Sequence, residues 1–123
     1  MGRLQVARAS DRALSQGAVI WVNLSPTKGR EQQGHRPAVV LSSSDHLSIV
    51  EDLVIVLPCT TTSRGWPNHV RVTGPTGLEG ETFAMTEQPR TISRNRISEV
   101  TGVVDAGCLE QLQMWVADWL RPG

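Results

Sequence analysis

The chain has 123 residues, of which 12 are lysine or arginine and 12 are aspartate or glutamate, so its formal net charge is zero. This length indicates one domain with a moderate core, and the balanced charge excludes binding of nucleic acid by bulk electrostatics, so any RNA site must be a local patch. Since no apolar run is long enough to span a membrane and no signal peptide is visible, we expect a soluble, cytoplasmic protein without membrane contact.

The first half of the chain predicts three strands. Residues 17–24 are apolar on both faces, which is typical of a strand covered on both sides. Pro37 begins a second strand, and residues 53–57 form a third, with a helical turn or loop through Ile49 between them. The loop of residues 25–36 carries too many charges for a plain turn.

The second half predicts further short strands and a terminal helix. Residues 69–73 alternate between polar and apolar, and residues 81–86 and 97–104 are also strand candidates. Asp105 is typical of a helix N-cap. After it, apolar residues recur every three or four positions and predict an amphipathic helix, which docks on the core or on a partner. We therefore expect a mainly β fold, a small, strongly bent antiparallel sheet or partial barrel with a C-terminal helix.

Two regions carry less information. Residues 1–16 could be a flexible tail, a short helix or partly an expression artefact, so we assign the folded domain to residues 17–121. Cys59 and Cys108 follow neither metal nor disulfide spacing, and we expect two reduced, buried thiols.

Six short segments form a set of motifs: Pro26-Thr27-Lys28-Gly29, Glu31-Gln32, the run from Gly34 to Ser42, Pro58-Cys59-Thr60-Thr61, Gly65-Trp66-Pro67 and Glu87-Gln88-Pro89-Arg90-Thr91-Ile92. In this order they resemble the MazF/PemK family of toxins, the endoribonuclease halves of bacterial toxin–antitoxin modules. The resemblance runs from about Gly17 to Leu120. It implies an SH3-like β-barrel with added helices and a homodimer.

Arg36 and Thr60 are the first candidates for catalysis. The planar guanidinium of Arg36 fits a phosphate, although a surface salt bridge to Glu31 would explain it equally well. Thr60 follows a buried strand, where its hydroxyl could contact a phosphate oxygen or belong to an ordinary turn. The resemblance implies a catalytic role for both, because they fall on the family's catalytic arginine and catalytic threonine.

Three acidic or titratable side chains are further candidates. Glu31 could take a proton from a ribose 2′-hydroxyl, orient Arg36 or read a base, and we choose it as the third catalytic residue. His35 could act as an acid or base because imidazole titrates near neutral pH, and we place it among the RNA-binding residues. In Kid-like relatives the acid that matches Glu87 is assigned to catalysis, together with an arginine two residues before it. This chain has Met85 there, so we assign Glu87 and Gln88 to base recognition.

Several loop residues could line a local groove for a single RNA strand. Trp66 could stack on a base or pack locally. The remaining predicted RNA-binding residues are Lys28, Arg30, Thr61, Arg64 and Arg94. No Asp, Glu, His or Cys group has metal-ligand spacing, and we expect neither a metal nor a cofactor.

Together these features predict a sequence-specific endoribonuclease, an mRNA interferase that cleaves single-stranded RNA without metal to 2′,3′-cyclic phosphate and 5′-hydroxyl ends. The resemblance implies a cognate, acidic, MazE-like antitoxin as partner. One alternative is a CcdB-like toxin, similar in fold, which poisons DNA gyrase by protein contact and cuts nothing. Another is a non-catalytic SH3-like RNA-binding module.

Overall fold

The computed structural model describes residues 14–24 and 34–123. Its strands are β1 (Ala18–Asn23), β2 (His35–Val40), β3 (Leu53–Thr60), β4 (His69–Arg71), β5 (Phe83–Met85), β6 (Arg90–Ser93) and β7 (Ile97–Val103). Its helices are α1 (Ser44–Ile49) and α2 (Ala106–Leu120), and a 3-10 turn (Arg94–Arg96) precedes β7. None of the helices in the described part of the chain is long and apolar enough to cross a membrane.

The seven strands form one antiparallel sheet in the spatial order β4-β5-β3-β2-β1-β7, and β6 pairs with β3 beside β5. Within residues 14–24 and 34–123, β4 and β7 are edges, so the bent sheet does not close into a barrel. The predicted class, mainly β with a C-terminal helix, is confirmed.

Two apolar cores cover the two faces of the sheet. Ile20 and Val22 of β1 point into a core with β2, β3, β6 and β7, whereas Val19 points into a second core with β4, β5 and α2. Side chains alternate across a strand, so β1 must be apolar on both faces. The structure confirms this prediction.

The third strand is longer than predicted. We expected residues 53–57, but β3 continues to Thr60 and includes Pro58. A proline is tolerated here because β6 pairs with β3 as far as Val56 and β5 pairs with it from Cys59, so no strand on that side needs the missing N–H. β2 likewise begins at His35 rather than Pro37, and β6 was not predicted as a strand.

The terminal helix begins where the sequence predicts. The carboxylate of Asp105 accepts the backbone N–H of Cys108 at 2.7 Å and the hydroxyl of Thr73 at 2.6 Å. The hydrogen bond from Thr73, followed by the one from Cys108, lowers the pKa of Asp105 below its usual range. Near the other end, Trp119 Nε1 donates to Thr86 Oγ1 at 3.2 Å. Both ends of α2 are therefore tied to the sheet.

Leu112 is the most deeply buried residue of α2, and its side chain packs in the second core. We expect Leu112→Ala to lower the free energy of unfolding by about 2–5 kcal/mol, because transfer free energy is lost and a cavity remains. Urea unfolding measures this change. Met114→Ala, on the same helix at 64% exposure, is the control and should change it by less than about 0.5 kcal/mol. Equal effects of the two substitutions would contradict the packing of α2.

Candidate active site

The pairing of β2 with β3 brings Arg36 and Thr60 together. The ladder pairs Ala38 with Pro58. Extending this register by two residues along each strand places Arg36 opposite Thr60. Residues in such a position have Cα atoms about 5 Å apart and side chains on the same face. Both side chains are partly buried.

The electrostatics of Cys59, the neighbour of Thr60, agree with this placement. Burial raises the pKa of the Cys59 thiol strongly, and the nearby Cys108 raises it further, whereas the charge of Arg36 lowers it by a smaller amount. The guanidinium of Arg36 therefore acts on the end of β3. Cys59 and Cys108 are both buried and unbridged, as predicted.

The hydroxyl of Thr60 is oriented by the chain that follows it. Thr60 Oγ1 accepts the backbone N–H of Thr62 at 3.1 Å. Because a hydroxyl has one proton to donate as well as lone pairs to accept, the Thr60 proton remains available for an acceptor such as a phosphate oxygen.

A second group of polar residues surrounds Glu87, and we call Asn68, His69, Glu87 and Gln88 the Glu87 network. Asn68 Nδ2 donates to Glu87 Oε1 at 2.8 Å. His69 Nε2 and Gln88 Nε2 both contact Glu87 Oε2, at 3.0 Å and 3.1 Å. Partial burial raises the pKa of Glu87, but the hydrogen bonds, that of His69 first, outweigh it and lower the pKa below 4.5.

The network fixes the orientation of the Gln88 amide. An ionised carboxylate only accepts hydrogen bonds, so Gln88 must turn its NH₂ group toward Glu87. Gln88 Nε2 also contacts Met85 Sδ at 3.6 Å. The carbonyl oxygen of this exposed side chain is then the group left for a ligand.

The Glu87 network and Thr60 lie on the same face of the sheet. Thr60 pairs with Phe83 on β5, and Met85, two residues further along β5, pairs with His69 on β4. Side chains two residues apart on a strand share a face. His69 belongs to the network and Met85 contacts its Gln88, so the network lies beside Thr60, one row away.

Trp66 covers this network from outside. Its indole ring lies 4.8 Å from the ring of His69, and the guanidinium carbon of Arg64 lies 5.6 Å from the Trp66 ring centroid. The side chain is 48% exposed. Local packing and an exposed aromatic surface, which the sequence leaves as alternatives, therefore coexist at Trp66.

Comparison with known proteins agrees with the motifs. A family model described as PemK-like, MazF-like toxin of type II toxin–antitoxin system matches residues 15–120. This chain belongs to the PemK/MazF toxin family. The resemblance stated from the sequence is confirmed.

Individual family members extend this result. The Escherichia coli K12 endoribonuclease toxin MazF is 42% identical over 77 residues, which are 63% of this chain and 66% of that protein. The crystal structure of Deinococcus radiodurans MazF superimposes with a TM-score of 0.72 at 28% identity, covering 87% of this chain and 96% of that one. A MazE–MazF structure from the same organism gives a TM-score of 0.69 at 25% identity, with coverages of 87% and 95%.

The structure describes only some of the other predicted site residues of this PemK/MazF chain. Lys28, Arg30 and Glu31 lie outside the described residues. Thr61 and Arg64 follow Thr60 as exposed residues of the same segment.

His35 and Arg36, in contrast, point to opposite faces, since they are neighbours on β2. The His35 ring lies 5.1 Å from the Trp21 ring, and its Nε2 lies 3.2 Å from Ser98 Oγ. The structure therefore does not join His35 to the Arg36–Thr60 pair.

Arg94 is held far from this pair. Its guanidinium donates to the backbone carbonyls of Leu47, Val50 and Leu53. Leu53 and Thr60 are the two ends of β3, which places them about 23 Å apart at the usual rise per residue. Arg94 thus connects the end of α1 to the start of β3, and the structure separates it from Thr60.

Sequence reasoning did not identify His69 and Asn68 as part of the site. His69 was seen only as the start of an alternating segment, yet its side chain is 3% exposed and bonded to Glu87. Nothing in the local sequence signals this contact, because the partners are 18 residues apart.

Gln88→Ala tests the Glu87 network. Loss of one donor should raise the pKa of Glu87 toward 4.5, which NMR of the side-chain carboxyl carbon measures. Because the native pKa is depressed, the stabilisation is present above about pH 4.5 and is lost as pH falls through the native pKa. Gln111→Ala, an exposed glutamine on α2, is the control. An unchanged pKa in Gln88→Ala would contradict the assigned amide orientation.

Proposed function

We propose that this chain is a sequence-specific endoribonuclease, an mRNA interferase that cleaves single-stranded RNA as the toxin of a toxin–antitoxin pair. The observation that carries the proposal is the juxtaposition of Arg36 and Thr60 on one face of the sheet. The names of the E. coli relatives, which are endoribonucleases, support the same reaction class.

The reaction is an internal displacement. The ribose 2′-oxygen attacks the adjacent phosphorus, and the bond to the 5′-oxygen of the next nucleotide breaks. The products are a 2′,3′-cyclic phosphate and a 5′-hydroxyl, so atoms and charge balance once the 2′-proton has moved and the leaving oxygen is protonated. The nucleophile and the phosphate belong to one molecule, which gives the step a proximity advantage.

Arg36 and Thr60 act on the phosphate. Negative charge grows on the phosphorane oxygens, and a guanidinium in a partly buried position stabilises this charge more than that of the ground state. A guanidinium carries N–H donors and no acceptor, so Arg36 serves as a donor rather than a base. Thr60, oriented by the N–H of Thr62, donates its hydroxyl to a phosphate oxygen.

Glu87 is poorly suited to remove the 2′-proton. Its carboxylate already accepts hydrogen bonds from Asn68, His69 and Gln88, and its lowered pKa makes it a weak base. We therefore keep Glu31 as the proposed base. Glu87 instead holds Gln88 in place, so that the Gln88 carbonyl can accept an N–H from an unstacked base and contribute to sequence specificity.

The CcdB-like alternative is not favoured. A gyrase poison that acts by protein contact does not require Arg36 opposite Thr60, and the family match is to the PemK/MazF toxins. A non-catalytic RNA-binding module would bind RNA without cutting it, so cleavage itself distinguishes the two readings.

Substitutions at Arg36 and Thr60 test the mechanism. Arg36→Ala should lower the single-turnover cleavage rate about 100-fold or more, and Thr60→Ala somewhat less, since a neutral hydroxyl is the weaker donor. The double variant should lose less than the product of the single losses, because both act on one phosphate. Arg36→Lys should recover only part of the rate, because lysine lacks the planar fork.

Circular dichroism controls for folding in each variant. A folded Arg36→Ala protein that cuts at a near wild-type rate would overturn the site assignment. The wild-type reaction is run in EDTA and its RNA ends are sequenced. Activity that returns only with a divalent ion, or 3′-hydroxyl ends, would overturn the internal displacement.

The partners belong to the same proposal. The D. radiodurans MazE–MazF structures support a cognate antitoxin partner, which we propose to be acidic and partly disordered. The end of α2 supports a homodimer, because Met114, Trp119 and Leu120 are 64%, 47% and 76% exposed on a helix whose other side is buried.

We expect sedimentation at micromolar concentration to give the mass of a dimer, and a homodimer of this kind should be two-fold symmetric. Leu120→Asp should shift the equilibrium toward monomer by placing a charge in the apolar contact, whereas Glu110→Gln on the same helix should not. A wild-type monomer under these conditions would contradict the proposal.

A further inference from the structure

The face of the sheet that holds Arg36 and Thr60 continues across the next two strands, β5 and β4. Thr60 pairs with Phe83 on β5, and Phe83 pairs with Arg71 on β4. Together with Arg36, these residues form one row across four adjacent strands, and we call Arg36, Thr60, Phe83 and Arg71 the cross-strand row. Residues that lie opposite each other in adjacent strands share a face, so the whole row points to the same side of the sheet.

We propose that Phe83 and Arg71 form a further RNA subsite, in which Phe83 stacks on one base and Arg71 binds the phosphate of a flanking nucleotide. This subsite rests on the proposed endoribonuclease function and extends it to the nucleotides beside the cleaved bond.

The charge of Arg71 is available for such a contact. The side chain is 60% exposed, and its ion pair is a 3.4 Å contact with Glu81, which is itself 61% exposed. A solvent-exposed pair of this kind contributes little free energy, so a phosphate can replace Glu81 at small cost. Arg94 differs in this respect, since three backbone carbonyls hold its guanidinium.

The spacing suits a single strand that runs across the β-strands. Neighbouring strands lie about 4.8 Å apart, so the backbones of Arg36 and Arg71 are separated by about 14 Å, with Thr60 and Phe83 between them. An RNA strand along the row would meet phosphate donors, then an aromatic ring, then a second phosphate donor. Non-helical strands are bound in this way, by stacking platforms combined with cationic side chains.

The Glu87 network borders this path on one side. Met85 and His69 lie two residues along their strands from Phe83 and Arg71. His69 belongs to the network, and Met85 contacts its Gln88. Phe83 itself is half-buried, so its ring is supported by neighbours while part of it remains accessible. A base stacked on Phe83 would therefore lie next to the fixed carbonyl of Gln88.

The test uses an RNA oligonucleotide that contains the cut site found by sequencing the wild-type products. A 2′-O-methyl group at the attacking position blocks cleavage, and fluorescence anisotropy gives the dissociation constant as a function of salt. Arg71→Gln should weaken binding about 5- to 10-fold at low salt. It should also reduce the slope of log K against log salt by about 0.7, the value for one phosphate contact of a single strand.

Arg121→Gln is the matched control, because Arg121 is also exposed and paired with a carboxylate, that of Asp118. Phe83→Leu keeps an apolar side chain without the ring, and it should weaken binding at least about 5-fold while leaving the salt slope unchanged. Shortening the oligonucleotide from one end should abolish the effects of Arg71→Gln and Phe83→Leu together. Arg36→Ala should still weaken binding of the shortened RNA.

Failure of the subsite and failure of the proposed function are distinguishable. If wild-type protein cuts RNA but Arg71→Gln and Arg121→Gln bind alike, the subsite is overturned and the nuclease stands. If Arg71→Gln weakens binding of the antitoxin and not of RNA, the RNA subsite is again overturned, in favour of a protein contact. If wild-type protein neither binds nor cuts RNA, both proposals fall.

Discussion

The antiparallel register of β3 with its neighbours is the constraint on which the rest of the structure depends. The pairing of Ala38 with Pro58 sets the register that places Arg36 opposite Thr60. The pairing of Thr60 with Phe83 continues the same face onto β5 and β4. A slip of one residue would turn one member of each pair to the other face and expose the apolar residues beneath it. Both faces of the sheet are buried against a core, so the core that stabilises the fold also fixes the site.

Pro58 lies within a central strand, at a position where its missing N–H costs no ladder hydrogen bond. β3 changes its partner from β6 to β5 near this residue, and the interval between the two partners accommodates a residue without an N–H. Thr60, the proposed catalytic residue, lies two residues beyond Pro58, after this change of partner.

The surroundings of Glu87 illustrate how the environment of a carboxylate sets the role it can take. Glu87 is held by three donors, which lower its pKa and make it an orienting group for Gln88. A base needs a carboxylate with free lone pairs and a higher pKa. The arginines differ in the same respect. Backbone carbonyls hold Arg94, which stabilises the fold, whereas Arg71 and Arg36 belong to the cross-strand row on the face that carries Thr60.

The sequence by itself determined strand β1 from its hydrophobic periodicity and the start of α2 from the capping carboxylate of Asp105. It determined the family from the order of the motifs. All three signals are local properties of the chain. It also predicted Arg36 and Thr60 as catalytic residues, through the resemblance rather than through their chemistry. Only the tertiary structure decided that β3 runs through Pro58, that Arg94 lies at the far end of that strand, and that His69 bonds to Glu87. These features depend on pairings between distant segments, which no local pattern in the sequence reveals.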